Sequence, residues 1–258
     1  MKYGMPNCHE KIDIREKKYV FLHGKYILLS LLKTKKDVNV YLIDNGNSYD
    51  LIDTGIFKGT DEIVTQIEET GFDIKKLRYI IITHCHCDHI GGVSELVNKS
   101  GAKVMAHTAD IPCILQDSII QGAYHDMMVQ EQIFMKRFEC VVKHIDVCLE
   151  DGDTIDTLDG LKVINVPGHT PGSIALYQSE QKIMFFGDVI RNKGNKGLVI
   201  GVPEKFNVDT SQVIKDAYRI LNLPIDYALF GHGEPILMNT KDILNAAQTP
   251  EEVLKQKN

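Results

Sequence analysis

A chain of 258 residues, 43% apolar and 25% charged, can bury a sizeable core and has none of the bias of collagen, coiled coil or long disorder. Its net charge of −6 argues against the broad basic face with which nucleic-acid binders displace counterions, so no nucleic-acid partner is expected. The polar stretch from Met1 to Lys18 lacks an apolar signal core and no window approaches a membrane-spanning run, so no membrane partner and a cytoplasmic address are expected, and the six cysteines are read as thiols.

No repeat, low-complexity tract or linker interrupts the sequence, and residues 1–258 are read as one domain. From Tyr19 to Asp53 β-rich runs follow one another, the last two divided by the turn Asn45-Gly46-Asn47. Thr60 suits the cap of a helix with Ile63, Ile67 and Thr70 near one face, and Gly71 suits its end. Leu77 to Thr83 reads as a buried strand, Gly92 to Lys99 as a helix and Lys103 to His107 as a strand, an α/β order. A helical insertion at about 109–139 follows, rich in Ile, Met and Phe; its apolar residues are core, homodimer contacts or a lid over an apolar substrate group. Strands at Lys162 to Val166, Ile174 to Tyr177, Ile183 to Phe186 and Ala228 to Phe230 then surround a helix from Thr210 to Leu221, and a last helix begins near Asn239. Two sheets face to face with helices outside, an αββα sandwich of four layers, would bury these runs.

The segment Thr83-His84-Cys85-His86-Cys87-Asp88-His89 stands where the buried strand must end, before the turn residues Gly91 and Gly92. Residues two apart on extended chain point the same way, so His84 and His86 can approach one cation, while Asp88 and His89 can serve a second as the chain curls into a helix. Imidazole and carboxylate are the usual partners of zinc in catalytic sites. Cys85 and Cys87 alternate with the histidines and are expected to point away, as packing thiols. Downstream, His169, Asp188 and His232 each follow a strand and each lie beside a glycine, which permits close backbone approach. His107, after a strand, is read as structural.

In order, HCHCDH, GHTPGS, FFGD and FGHG resemble the motifs of the metallo-β-lactamase superfamily, over a stretch from about Val38 to His232. The resemblance implies the αββα sandwich and two divalent ions, zinc first with iron or manganese as alternatives. It implies that His84, His86 and His169 hold one ion, that Asp88, His89 and His232 hold the other, and that Asp188 bridges them. Asp53, in Leu51-Ile52-Asp53-Thr54-Gly55, matches the D-x-G segment of that family and is implied to orient a ligand histidine. The implied chemistry is hydrolysis by water activated at neutral pH, with Asp88 and Asp188 passing the proton onward.

The layout is most similar to the N-acyl homoserine lactonase group, which implies a small-molecule lactone, ester or thioester as substrate. The alternatives are a glyoxalase II-like thioesterase, a phosphodiesterase and a persulfide dioxygenase using one iron. One position departs from the lactonase pattern: three residues after the bridging Asp that group has Tyr, and here stands Arg191. Arg191 opens a basic run to Gly197, expected as a flexible loop near the metals that is either solvated or recognises an anionic substrate group.

Overall fold

Side chains alternate between the two faces of a strand, and most strands here are apolar on both, which demands cover on each side. The computed structural model describes residues 19–21, 28–33, 38–69, 71–122, 124–237, 240–249 and 252. Of the positions named above, Thr70 and Asn239 lie outside them, as does Met1 to Lys18 with one of the six cysteines, Cys8. Strands β1 (Tyr19–Phe21), β2 (Leu28–Lys33), β3 (Asn39–Asp44) and β4 (Tyr49–Ile52) pair antiparallel in succession. After α1 (Thr60–Glu69) the chain returns parallel to β4 as β5 (Leu77–Ile81). Helices α2 (Cys87–Ile90) and α3 (Val93–Ser100) lead to β6 (Lys103–His107), and α4 (Ile111–Ile114) and α5 (His125–Arg137) lead to β7 (Val147–Leu149), both parallel additions to one seven-stranded sheet.

The second sheet starts with β8 (Thr154–Ile155), β9 (Leu161–Asn165), β10 (Ile174–Gln178) and β11 (Ile183–Phe185), all antiparallel. The chain then leaves it for a hairpin, β12 (Ile190–Asn192) and β13 (Leu198–Ile200), crosses as α6 (Thr210–Leu221) and returns as β14 (Tyr227–Leu229), parallel to β11. Helix α7 (Thr240–Asn245) follows. No helix among the described residues is long and apolar enough to cross a membrane.

Alternation sorts the core into three clusters. Val40, Leu42, Leu51 and Ile80 face outwards to Ile63 of α1, Leu96 of α3 and Met128 of α5. Their neighbours Tyr41, Ile43, Ile52 and Ile81 face Val163, Leu176 and Phe185 across the gap between the sheets. Ala175, Met184 and Phe186 face the other way, under Val213, Ala217 and Ile220 of α6. The layers are therefore helix, sheet, sheet, helix, the αββα order expected from the sequence. Each fully buried Leu or Ile contributes roughly 1.5–3 kcal/mol by leaving water, so these clusters hold the layers together.

Two local expectations need correction, and the helical insertion can be given its bounds. Thr60 is the first residue of α1 and not its cap: the carbonyl of Gly59 accepts the first helical bond, from Ile63. The insertion is helical only over α4 and α5, and residues 115–122 between them carry no helix. The basic run is no loose loop. Arg191 sits within β12, paired in register with Val199, and a single 3-10 turn over Gly194–Lys196 joins the two strands.

Candidate metal centre

The centre is built where strands stop. Pairing of β5 ends at Ile81, and Thr83 is then gripped by Asp53, whose carboxylate accepts the Thr83 amide at 2.8 Å and its hydroxyl at 2.8 Å. His84, Cys85 and His86 follow, with His86 in extended conformation at the N-cap of α2, whose short turn carries Asp88 and His89. His169 comes from the turn between β9 and β10, Asp188 from the end of β11 and His232 from the end of β14. Glycine allows the last two to meet: a Cβ at Gly231 would stand 2.6 Å from Asp188 Oδ1.

All seven expected ligand residues converge. Their donor atoms fall into three groups, His84 with His86 and His169, His84 with His89 and Asp188, and Asp88 with His89 and His232, each within 4.8 Å. Asp188 lies between: its carboxylate is 3.6 Å from His89 Nε2, 3.8 Å from His169 Nε2 and 3.4 Å from His232 Nε2. Nε2 of His84, His86, His89 and His169 and Oδ1 of Asp188 are buried without a hydrogen-bond partner among the described residues. A buried polar atom left so costs about 1–3 kcal/mol. Five such atoms pointing at common points fit divalent cations, which take this nitrogen and oxygen donor set.

The other ring nitrogens explain why Nε2 faces inwards. Asp53 Oδ2 lies 2.7 Å from His89 Nδ1, Thr83 Oγ1 lies 3.0 Å from His84 Nδ1, and Asn207 Oδ1 lies 3.1 Å from His169 Nδ1. Each contact occupies Nδ1 and leaves Nε2 for the centre. Asp53 thus orients a histidine, the position the sequence suggested for it. It does so at φ +60, a left-handed conformation that an Asp adopts at a cost and that recurs at functional sites.

Electrostatics favour the same roles. Burial, reinforced by the neighbouring histidines, holds His84 and His86 well below the ordinary imidazole range, which keeps the neutral form that a cation needs. Burial also lowers His169. For His89 burial acts downwards, but Asp53, Asp88 and Asp188 outweigh it and raise the group to about 10 in the metal-free chain. Burial alone would raise Asp188, yet His232, His89 and His84 hold it well below the carboxylate range.

The remaining candidates fall away from the centre or at its edge. Cys85 is buried in the apolar cluster beneath α5, and burial pushes its thiol well up. Cys87 is half-buried, and its amide donates to Glu131 Oε2 at 3.2 Å. The described cysteines are all free thiols. His107 is buried and accepts the Ala109 amide at 3.2 Å, a structural position. Arg191 Nε donates to the Gly201 carbonyl at 2.8 Å; burial lowers its guanidinium and nearby Asp188 raises it. Asn207, Tyr124, Glu131 and Asp110 are parts of the surroundings that sequence reasoning missed. The Tyr124 ring lies on His86 at 4.4 Å between centroids, and its hydroxyl donates to Glu131. None of the four has a neighbouring motif that could have marked it.

The model of the metallo-beta-lactamase superfamily matches residues 34–232. "Probable metallo-hydrolase YflN" of Bacillus subtilis (strain 168) is 26% identical over 220 residues, 79% of this chain and 83% of that one. An N-acyl homoserine lactonase of Bacillus thuringiensis is 28% identical over 155 residues, 54% of each. A metallo-beta-lactamase family protein from Thermus thermophilus superposes with a TM-score of 0.68 at 20% identity, over 89% of this chain and 79% of that one, a likeness of fold alone. Because the family match spans most of the chain and ends on His232, the last of the converging residues, the chain belongs to the metallo-β-lactamase superfamily.

Proposed function

We propose that the chain is a hydrolase with a dinuclear metal centre, zinc in both places, that cleaves a small-molecule lactone, ester or thioester. The observation that carries this reading is the set of five buried, partnerless donor atoms aimed at common points. His84, His86 and His169 would hold one ion, Asp88, His89 and His232 the other, with Asp188 reaching both. When bound, such ions polarise a carbonyl oxygen and bring the pKa of water towards neutrality. The ester or lactone class is supported by the likeness to the Bacillus thuringiensis lactonase, which covers only half of that enzyme.

The chain's own groups divide the remaining work. Buried Asp188 stays ionised and lies between the two sets of histidines. Asp88 has 31% of its side chain exposed, so it can take a proton at the centre and release it to solvent. Cys85 does not serve as nucleophile in this reading, because it packs into the core. Arg191, next to Asp188 in space, is the candidate contact for an anionic substrate group.

The test combines metal analysis with turnover of a panel of lactones, esters and thioesters. The expected result is two zinc ions per chain and hydrolysis of at least one member. His86→Ala and Asp188→Ala should each abolish turnover and deplete metal while circular dichroism stays unchanged. Full turnover in either depleted variant, or one iron per chain with oxygen uptake, would overturn the reading.

A further inference from the structure

Asp110 is 1% exposed and belongs to none of the ligand groups. It occupies the N-cap of α4, where an Asp side chain ordinarily accepts a helix amide, yet it makes no such bond. Its carboxylate instead reaches two other segments. It accepts the Cys85 amide at 2.9 Å, the Thr170 hydroxyl at 2.7 Å and the Gly172 amide at 2.7 Å. Cys85 lies between His84 and His86, and Thr170 follows His169. One buried carboxylate therefore ties together the two segments that supply the three-histidine group. Among the described residues its side chain makes no hydrogen bond to Asp88, His89 or His232.

The second segment is shaped to admit it. A Cβ at Gly172 would stand 2.5 Å from the Asp110 amide nitrogen and 2.7 Å from its Cβ and Cγ. Gly172 has an ordinary φ, so space alone requires glycine there. Thr170 is further fixed by Ser173, whose Oγ accepts the Thr170 amide at 3.0 Å, which aims the hydroxyl at Asp110. A carboxylate buried this deeply is costly unless donors compensate it, and three do. Asp53 plays a different part, because it grips Thr83 and His89.

We propose that Asp110 is a positioning residue for the three-histidine metal site: it sets the spacing of His84 and His86 against His169 and so governs the affinity of that site separately from its neighbour. This rests on the dinuclear reading above. The test is competition of the full-length protein with a chromophoric chelator for cobalt, using His169→Ala and His232→Ala to identify which equivalent is which. In Asp110→Asn the amide keeps the shape but turns N–H groups towards donors. The equivalent lost in His169→Ala should weaken by about 10- to 100-fold, and the equivalent lost in His232→Ala should keep its affinity. The cobalt absorption at substoichiometric metal should then match that of His169→Ala. Thr170→Val removes one donor without touching the carboxylate; it should shift the same equivalent by less, and it keeps the test available if Asp110→Asn does not fold. Equal weakening of both equivalents overturns the proposal, and so does a lower melting temperature of the metal-free chain with both affinities unchanged. A wild-type chain that binds no cobalt overturns the dinuclear reading instead.

Discussion

Arg191 is anchored at one end and available at the other. Its Nε is committed to the Gly201 carbonyl, while its terminal nitrogens have no protein partner among the described residues. A guanidinium held in place this way spends little further entropy on contacting a carboxylate or phosphate. Arg191→Ala should therefore raise KM for an ester carrying such a group by one charge-assisted contact, about 1.5–3 kcal/mol or roughly 12- to 150-fold. A neutral ester of the same size should keep its KM. Steady-state kinetics on the matched pair decides it, and small equal effects on both would return Arg191 to a purely structural place in β12. The sequence pointed to this position because it departs from the lactonase pattern. That the side chain is held by a hairpin partner, and not by a flexible loop, depended on pairing of β12 with β13.

At the scale of elements, the insertion is the part whose purpose periodicity left open. Its apolar residues read equally as core, lid or dimer contact. In the fold, Met128 and Met135 of α5 are buried in the outer cluster, Phe134 and Phe138 pack against Phe57, and Tyr124 lies on His86. The insertion thus leans on the metal-binding turn. Tyr124→Phe keeps the ring and removes only the hydroxyl that meets Glu131, a carboxyl that burial pushes up to about 7. It should lower the unfolding free energy by about 1–3 kcal/mol in urea and leave metal content intact. Tyr124→Ala, by opening a cavity at a site 1% exposed, should cost about 3–5 kcal/mol and deplete metal as well. Loss of metal in Tyr124→Phe would mean that the hydroxyl, and not the ring, supports His86.

For the whole molecule, the three clusters run through all four layers and owe nothing to a cation, so the fold should survive metal removal. In the metal-free chain the proton that Asp53, Asp88 and Asp188 keep on His89 compensates part of the buried negative charge. Metals that bind the native state alone stabilise it by mass action, about 2.7 kcal/mol at a hundredfold excess over Kd. Dialysis against a chelator should lower the melting temperature, leave the far-ultraviolet circular dichroism unchanged and abolish turnover, and zinc should restore both. Loss of the dichroism on chelation would show that the centre is needed to hold the layers.

The sequence by itself determined which donor residues converge and the order of the layers. Four donors fall within the short run from His84 to His89, and His169, Asp188 and His232 follow apolar runs, so residue type and strand-end position could be read without coordinates. The same local logic found β11, β14 and the longer strands, because an apolar run is a property of neighbours in the chain. Strands β7, β8, β12 and β13, of two or three residues each, were not legible in this way, and only pairing defines them. Asp110, Asn207, Tyr124 and Glu131 are single polar residues with no pattern around them. Their hydrogen bonds and ring contact with the turns that carry His84, His86 and His169 arise only when the layers close. A hydrogen bond across such a separation depends on register and packing, which the tertiary structure alone decided.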